Sequence, residues 1–287
     1  MLGYFAATIL FGALAAPILF WAVQWLAARG VFPGLAQFDF ESFFHRALLL
    51  GAVLFLWPFL KWLRIREPRD LGLAANRHWV RDVAIGFLIS ALPVLGCGIL
   101  LVALGNYTMR TDVAWAPLAA VVLTAAVVAI LEEALFRGLF LGVLLRGTPP
   151  LSAGLLSAGI FSIVHFLKAP AQVTTTVNWT SGFISLSHSF AQFAEPMLVL
   201  AGFATLFLIG VVLACARLRT RSLWLPIGLH GGWVFANGAF NKIAHREMTA
   251  LPWLGKSLLI GLVPLGVCFV SWALVGVWLR YAGARES

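Results

Sequence analysis

Apolar stretches long enough to cross a membrane recur along this chain from one end to the other. They fall near residues 4–27, 43–60, 83–104, 115–145, 151–167, 197–216, 223–240 and 258–279. Each is roughly 17 to 30 residues, the length a helix needs to cover about 30 Å of hydrocarbon. In lipid every backbone N–H and C=O must be paired within its own segment, so such runs fold as helices. The expected fold class is all-α: a polytopic integral membrane protein with about eight transmembrane helices, forming a single membrane domain over residues 1–287. Composition agrees, since 61% of the residues are hydrophobic and 11% charged, where soluble domains carry about 25% charged residues.

The charged residues that remain indicate what the chain touches. The formal net charge is +9, which in a soluble protein would suggest nucleic acid. Here the basic residues flank apolar runs and read as topology signals and lipid headgroup contacts, so the expected partner is the bilayer and not nucleic acid. The most basic connection, between the second and third runs, holds Lys61, Arg64, Arg66, Arg69, Arg77 and Arg81. Placing it in the cytoplasm puts Arg146, Arg217, Arg219, Arg221, Arg280 and Arg285 on the same side. A smaller set (Arg29, Arg46, Arg110, Lys168, Lys242, Arg246 and Lys256) lies opposite. Both termini are therefore expected in the cytoplasm. The first run follows no basic segment and is too long for a signal peptide, so it is expected to persist as the first span. Cys97, Cys215 and Cys268 all lie in apolar runs and form neither a disulfide framework nor a paired zinc spacing.

Two connections are more than turns. Residues 66–80, with Leu71-Gly72-Leu73 and Trp79, are amphipathic enough to lie at the interface and anchor the third span, or to stay solvated as a basic loop. Residues 169–195 carry Thr174, Thr175, Thr176, Asn178 and Trp179, then Phe183, Phe190 and Phe193. They are expected as a partly ordered loop or a re-entrant piece over one mouth of the bundle.

The fourth run contains Leu131-Glu132-Glu133-Ala134-Leu135-Phe136-Arg137. A charge near the bilayer centre costs roughly 2.5 kcal/mol or more, so these groups should face a bundle interior or wet cavity. Arg137, one turn after Glu133, can pair with it along the helix. Glu132 is rotated by about 100° and points elsewhere. The three form either a structural ion cluster or part of a site. Four histidines, His45, His78, His188 and His245, sit near span ends or in loops, whereas His165 and His230 lie inside spans. Measured from the cytoplasmic ends at 1.5 Å per residue, Glu132, His165 and His230 lie roughly 21, 22 and 13 Å deep, close enough to converge. Glycines 228, 231 and 232, with Gly138 and Gly142, are expected to let helices approach there.

A carboxylate and an imidazole can together draw a proton from water while a second imidazole supports an oxyanion. The same three side chains are also a ligand set for a metal such as zinc with one open position. No membrane serine or cysteine has a base beside it, which argues against covalent catalysis.

Three motifs in order resemble the CPBP (Abi) family of intramembrane endopeptidases, which includes the type II CAAX prenyl endopeptidase. Glu132-Glu133-x-x-x-Arg137 matches the first, Phe161-x-x-x-His165 the second, and His230 opens the third in a segment similar to bacterial members. The core of the resemblance covers about residues 115–242. It implies an intramembrane protease of a bacterial inner membrane, acting on a membrane-associated, in some members prenylated, protein or peptide. Glu132 and His165 would activate water, His230 would support the oxyanion, and Glu133, Arg137, Phe161 and Asn237 would support the site. Both glutamate-dependent and metal-dependent chemistry have been applied to the family. A zinc ion, if used, would take Glu132, His165 and His230. One position departs from the pattern: four residues after His230 the family usually has Asn or a similar polar group, but here stands Val234, and the nearest amide is Asn237.

Two other classes compete with the enzyme. A non-catalytic scaffold or immunity protein would keep the fold without the chemistry, and Val234 favours it. A transporter would use the buried acids as an ion relay, though paired broken helices and repeat halves are missing from the sequence.

Overall fold

The computed structural model describes residues 2–63, 65, 67–74, 76–113, 115–165, 176–194, 196–248, 251–255 and 257–283. The chain forms two compact units, Met1–Arg66 with Val164–Glu195, and Glu67–Ile163 with Pro196–Ser287.

In the first unit α1 (Leu2–Ala27) and α2 (Phe40–Trp62) are joined through a 3-10 turn, Pro33–Gln37. They run antiparallel. Near the start of α1, Tyr4 donates to the Ala52 carbonyl at 2.8 Å and stacks on Phe59 at 5.0 Å. Near its end, Phe20 meets Phe40 and Phe43 edge to face. Ala13, Ala16, Phe40, Phe44 and Ala47 are buried between them. The described part of the 169–195 stretch holds a short helix, α7 (Ser181–Ser189), and a 3-10 turn, Ala191–Ala194. Asn178 Oδ1 accepts from the Thr180 N–H at the start of α7. The helix lies so close to α1 that a Cβ on Gly182 would overlap the Ala13 carbonyl. Lys168, Thr174 and Thr175 lie outside the described residues.

The second unit holds α3 (Trp79–Ala103), α4 (Trp115–Glu133), a π-helical segment (Ala134–Phe140), α5 (Leu141–Leu144) and α6 (Pro150–His165). After these come α8 (Pro196–Thr220), α9 (Trp224–Ile243) and α10 (Leu262–Gly283). The last two residues of α6 fall in the first unit. α9 is the organising element. It meets α3 backbone to backbone, because a Cβ on Gly228 would overlap the Val83 carbonyl and one on Gly232 would overlap Ser90 and the Phe87 carbonyl. Gly231 makes ordinary contact with Ala129 of α4, 3.7 Å from its hypothetical Cβ. The ends of α3 and α9 are tied by a two-stranded antiparallel ribbon, β1 (Tyr107–Met109) with β2 (Ala244–Arg246), in which Thr108 faces His245.

Among the described residues six helices are long and apolar enough to cross a membrane: Gly3–Ala27, Phe40–Trp62, Trp79–Ala103, Leu118–Leu144, Val199–Thr220 and Leu262–Tyr281. The protein is thus a polytopic, multi-pass α-helical membrane protein, and six of the eight expected runs have that length and apolarity among the described residues. The 151–167 run yields the 16-residue helix α6. The 223–240 run yields α9, of full length at 20 residues but less apolar. The reason is burial: every residue from Leu225 to Trp233 is buried. A helix wrapped by other helices over that stretch can carry His230 without exposing it to lipid.

In the described part of the 66–80 connection Leu71, Gly72 and Leu73 are buried or half-buried, while Arg69, Arg77 and Trp79 are exposed. A 3-10 turn, Pro68–Leu71, leads into Gly72 at φ +86°. There the Leu223 N–H donates to the Gly72 carbonyl at 2.9 Å, and Trp224 Nε1 donates to the Ala74 carbonyl at 2.9 Å. Leu73 packs on Ala129, Leu223 and Ile227. The Leu-Gly-Leu stretch therefore clasps the start of α9. Gly72 is needed for its left-handed backbone and because the Arg217 guanidinium lies against it. Arg64 and Arg66 lie outside the described residues.

Candidate active site

The fourth apolar run, expected as one helix, changes pitch at the residues that carry the first motif. α4 ends on Glu133, and the backbone then follows a π-helical path, with the Leu141 N–H donating to the Phe136 carbonyl five residues back. Such segments are rare and are found disproportionately at functional sites. Along it Arg137 turns inward, and Phe136, Arg137, Gly138, Leu139 and Phe140 are all buried.

Glu133 and Arg137 form a fully buried ion pair, with Nη1 donating to Oε1 at 2.8 Å and both side chains at 0% exposure. Arg137 Nη2 also donates to the Gly210 carbonyl of α8 at 3.3 Å. Its guanidinium lies over the Phe161 ring, 4.3 Å from the centroid, a cation–π contact strengthened by the absence of water. Phe161 in turn meets Phe136 edge to face at 5.2 Å and His230 at 5.9 Å. The second motif's phenylalanine is therefore the wall joining the cation to the third-motif histidine.

His230 sits between the two acids. Its Nδ1 is 2.8 Å from Glu133 Oε1, and its Nε2 is 3.7 Å from Glu132 Oε2. The His230 side chain is 5% exposed, while that of Glu132 is 27% exposed, so Glu132 has an open side that Glu133 lacks. Glu132, Glu133, Arg137, Phe161 and His230 are thus gathered into one cluster.

His165 ends α6, half-buried, one turn beyond Phe161 on the same helix face. It belongs to the first unit, and the cluster belongs to the second. Asn237 lies two turns beyond His230, about 10 Å along the helix, and its Oδ1 is buried without a hydrogen-bond partner among the described residues. The same holds for Nε1 of Trp233. Gly138 packs against Leu71 of the clasp, and a Cβ on Gly142 would meet nothing within 4 Å, so that glycine pair serves no helix–helix approach.

Glu132 Oε2 and His230 Nε2 are two donors facing each other, whereas a hydrolytic zinc site takes three protein ligands. Among the described residues no group of three or more His, Cys, Asp or Glu side chains is placed to hold a metal ion. Within the second unit the described cluster thus offers two facing ligand atoms, Glu132 Oε2 and His230 Nε2.

The fold and cluster define a class: a helical membrane protein with two adjacent glutamates, an arginine and a histidine buried in the bundle. Residues 114–236 match the family model Rce1-like, described as type II CAAX prenyl endopeptidase Rce1-like, and this supports the CPBP family for that segment. The match ends one residue before Asn237. No curated protein and no solved structure matches the chain.

Proposed function

We propose that the protein is an intramembrane endopeptidase that hydrolyses peptide bonds of membrane-associated, prenylated substrates. The observation that carries this reading is the pairing of Glu132 Oε2 with His230 Nε2 at 3.7 Å, on a carboxylate with an open side in an otherwise buried cluster. A structural ion cluster needs Glu133 and Arg137, but it has no use for a second, partly exposed acid beside them.

Glu132 takes the proton from water as its oxygen attacks the carbonyl carbon, and the resemblance assigns His165 to the same step. His230 faces the same position from α9. The C–N bond breaks as that proton reaches the leaving nitrogen, giving a carboxylic acid and an amine, which exchange a proton to become carboxylate and ammonium. The oxyanion role that the resemblance assigns to His230 requires a proton on Nε2. Support for the prenylated substrate comes from the family name alone. The eight-span topology with cytoplasmic termini, in a bacterial inner membrane, is part of the same proposal and rests on the distribution of Lys and Arg. The glutamate-dependent form of the reaction is part of the same proposal.

Val234 favours a scaffold lacking catalysis, and one experiment separates the readings. Purified protein in liposomes is given a peptide ending in prenylated Cys followed by three residues, alongside its unprenylated twin. The enzyme reading predicts release of the C-terminal tripeptide from the prenylated peptide, at a rate well above that from the twin. Equal rates would remove the prenyl specificity, and no release from either would favour the scaffold.

A further inference from the structure

We propose that Glu133 is a positioning residue that fixes the tautomer of His230, so that His230 at rest accepts a hydrogen bond from the water held by Glu132. This rests on the hydrolase reading above, but it is argued from a separate contact. Glu133 Oε1 lies 2.8 Å from Arg137 Nη1 and 2.8 Å from His230 Nδ1, with no exposure of its own. A carboxylate oxygen already paired with a guanidinium can only accept. The proton between Glu133 and His230 therefore sits on Nδ1. A neutral imidazole has one N–H, so its lone pair is then on Nε2, the atom turned toward Glu132.

This placement has a chemical consequence. A water lying beside the Glu132–His230 pair donates one O–H to the carboxylate and the other to Nε2. Its lone pairs are then left facing a substrate carbonyl. In this state His230 orients the nucleophile, and it supports an oxyanion only once Nε2 also carries a proton. The ring has little freedom to turn over: Phe161 packs edge to face against it at 5.9 Å, and it is buried on α9. Adjacent acids thus divide the work, with Glu132 on the water and Glu133 on the imidazole. This differs from a purely structural Glu133–Arg137 pair, which would not depend on which ring nitrogen carries the proton.

The test is 15N spectroscopy of histidine-labelled protein at one pH, with the His230 signals assigned by their loss in His230→Gln. Wild type is expected to show a protonated, pyrrole-type Nδ1 and a pyridine-type Nε2. In Glu133→Leu/Arg137→Met, where both charges leave together, that pattern should be lost. Turnover should fall at least about tenfold with little change in KM, the scale seen when a partner that orients a catalytic imidazole is removed. A wild-type spectrum with the proton on Nε2 overturns the proposal even if the double variant does not fold, and so does a variant that keeps the wild-type pattern. If the wild type shows the expected pattern but cleaves no peptide, the positioning stands and the hydrolase reading falls.

Discussion

Arg137→Ala is expected to remove most of the folded protein. Arg137 is 1% exposed and is held by Glu133, the Gly210 carbonyl and the face of Phe161. Truncating it leaves the Glu133 carboxylate buried without its cation, at a cost of about 3–5 kcal/mol, a large share of a typical domain's stability. It also opens a void beneath Phe161 and removes a hydrogen bond from the π-helical segment to the Gly210 carbonyl of α8. The check is the monodisperse yield in detergent and the melting temperature. Glu133→Leu/Arg137→Met should restore much of both, because an apolar pair of similar volume avoids the unpaired charge. A normal yield and melting temperature with lost turnover would move Arg137 from the scaffold into the chemistry.

The neighbouring acid should behave in the opposite way. Glu132→Gln keeps the size of the side chain and its hydrogen-bonding capacity but cannot take a proton from water. The expected loss of hydrolysis is about 10²- to 10⁴-fold, the range a positioned general base contributes. Folding should be unaffected, since Glu132 lies outside the buried ion pair and is 27% exposed. Two adjacent glutamates that separate cleanly, one into activity and one into stability and ring orientation, would be hard to explain by a structural cluster alone. Glu132→Gln with full activity would mean that the carboxylate on the open side of the cluster is not the base.

Much of this was legible in the sequence because its causes are local. Long apolar runs must become helices in lipid, and Glu133 and Arg137 four apart must be neighbours on one. The parts that could not be read depend on contacts far apart in the chain or on pitch. Ala134–Phe140 has no residue that distinguishes a π path from an α path, and the surrounding packing selects it. The Glu133–His230 contact joins residues 97 apart, so Glu133 read as an ion-pair partner alone. α9 reads as an ordinary span because its apolar residues suffice in number, while the burial of Leu225–Trp233, which lets it carry His230, depends on close approach to α3 at Gly228 and Gly232 and to α4 at Gly231. The Leu71-Gly72-Leu73 stretch was visible as a pattern, but its partners, Leu223 and Trp224, lie some 150 residues away. In the 169–195 stretch, a helix as short as α7 has too few turns for periodicity to reveal it.

The most direct measurement is cleavage of a prenylated membrane peptide by purified, extensively chelated protein in 18O-labelled water, read by mass spectrometry alongside elemental analysis. The account predicts a new carboxyl terminus carrying one oxygen from the solvent, formed at well below one metal ion per chain and absent with Glu132→Gln. No labelled product from wild type, or activity lost on chelation and restored by zinc, would contradict it.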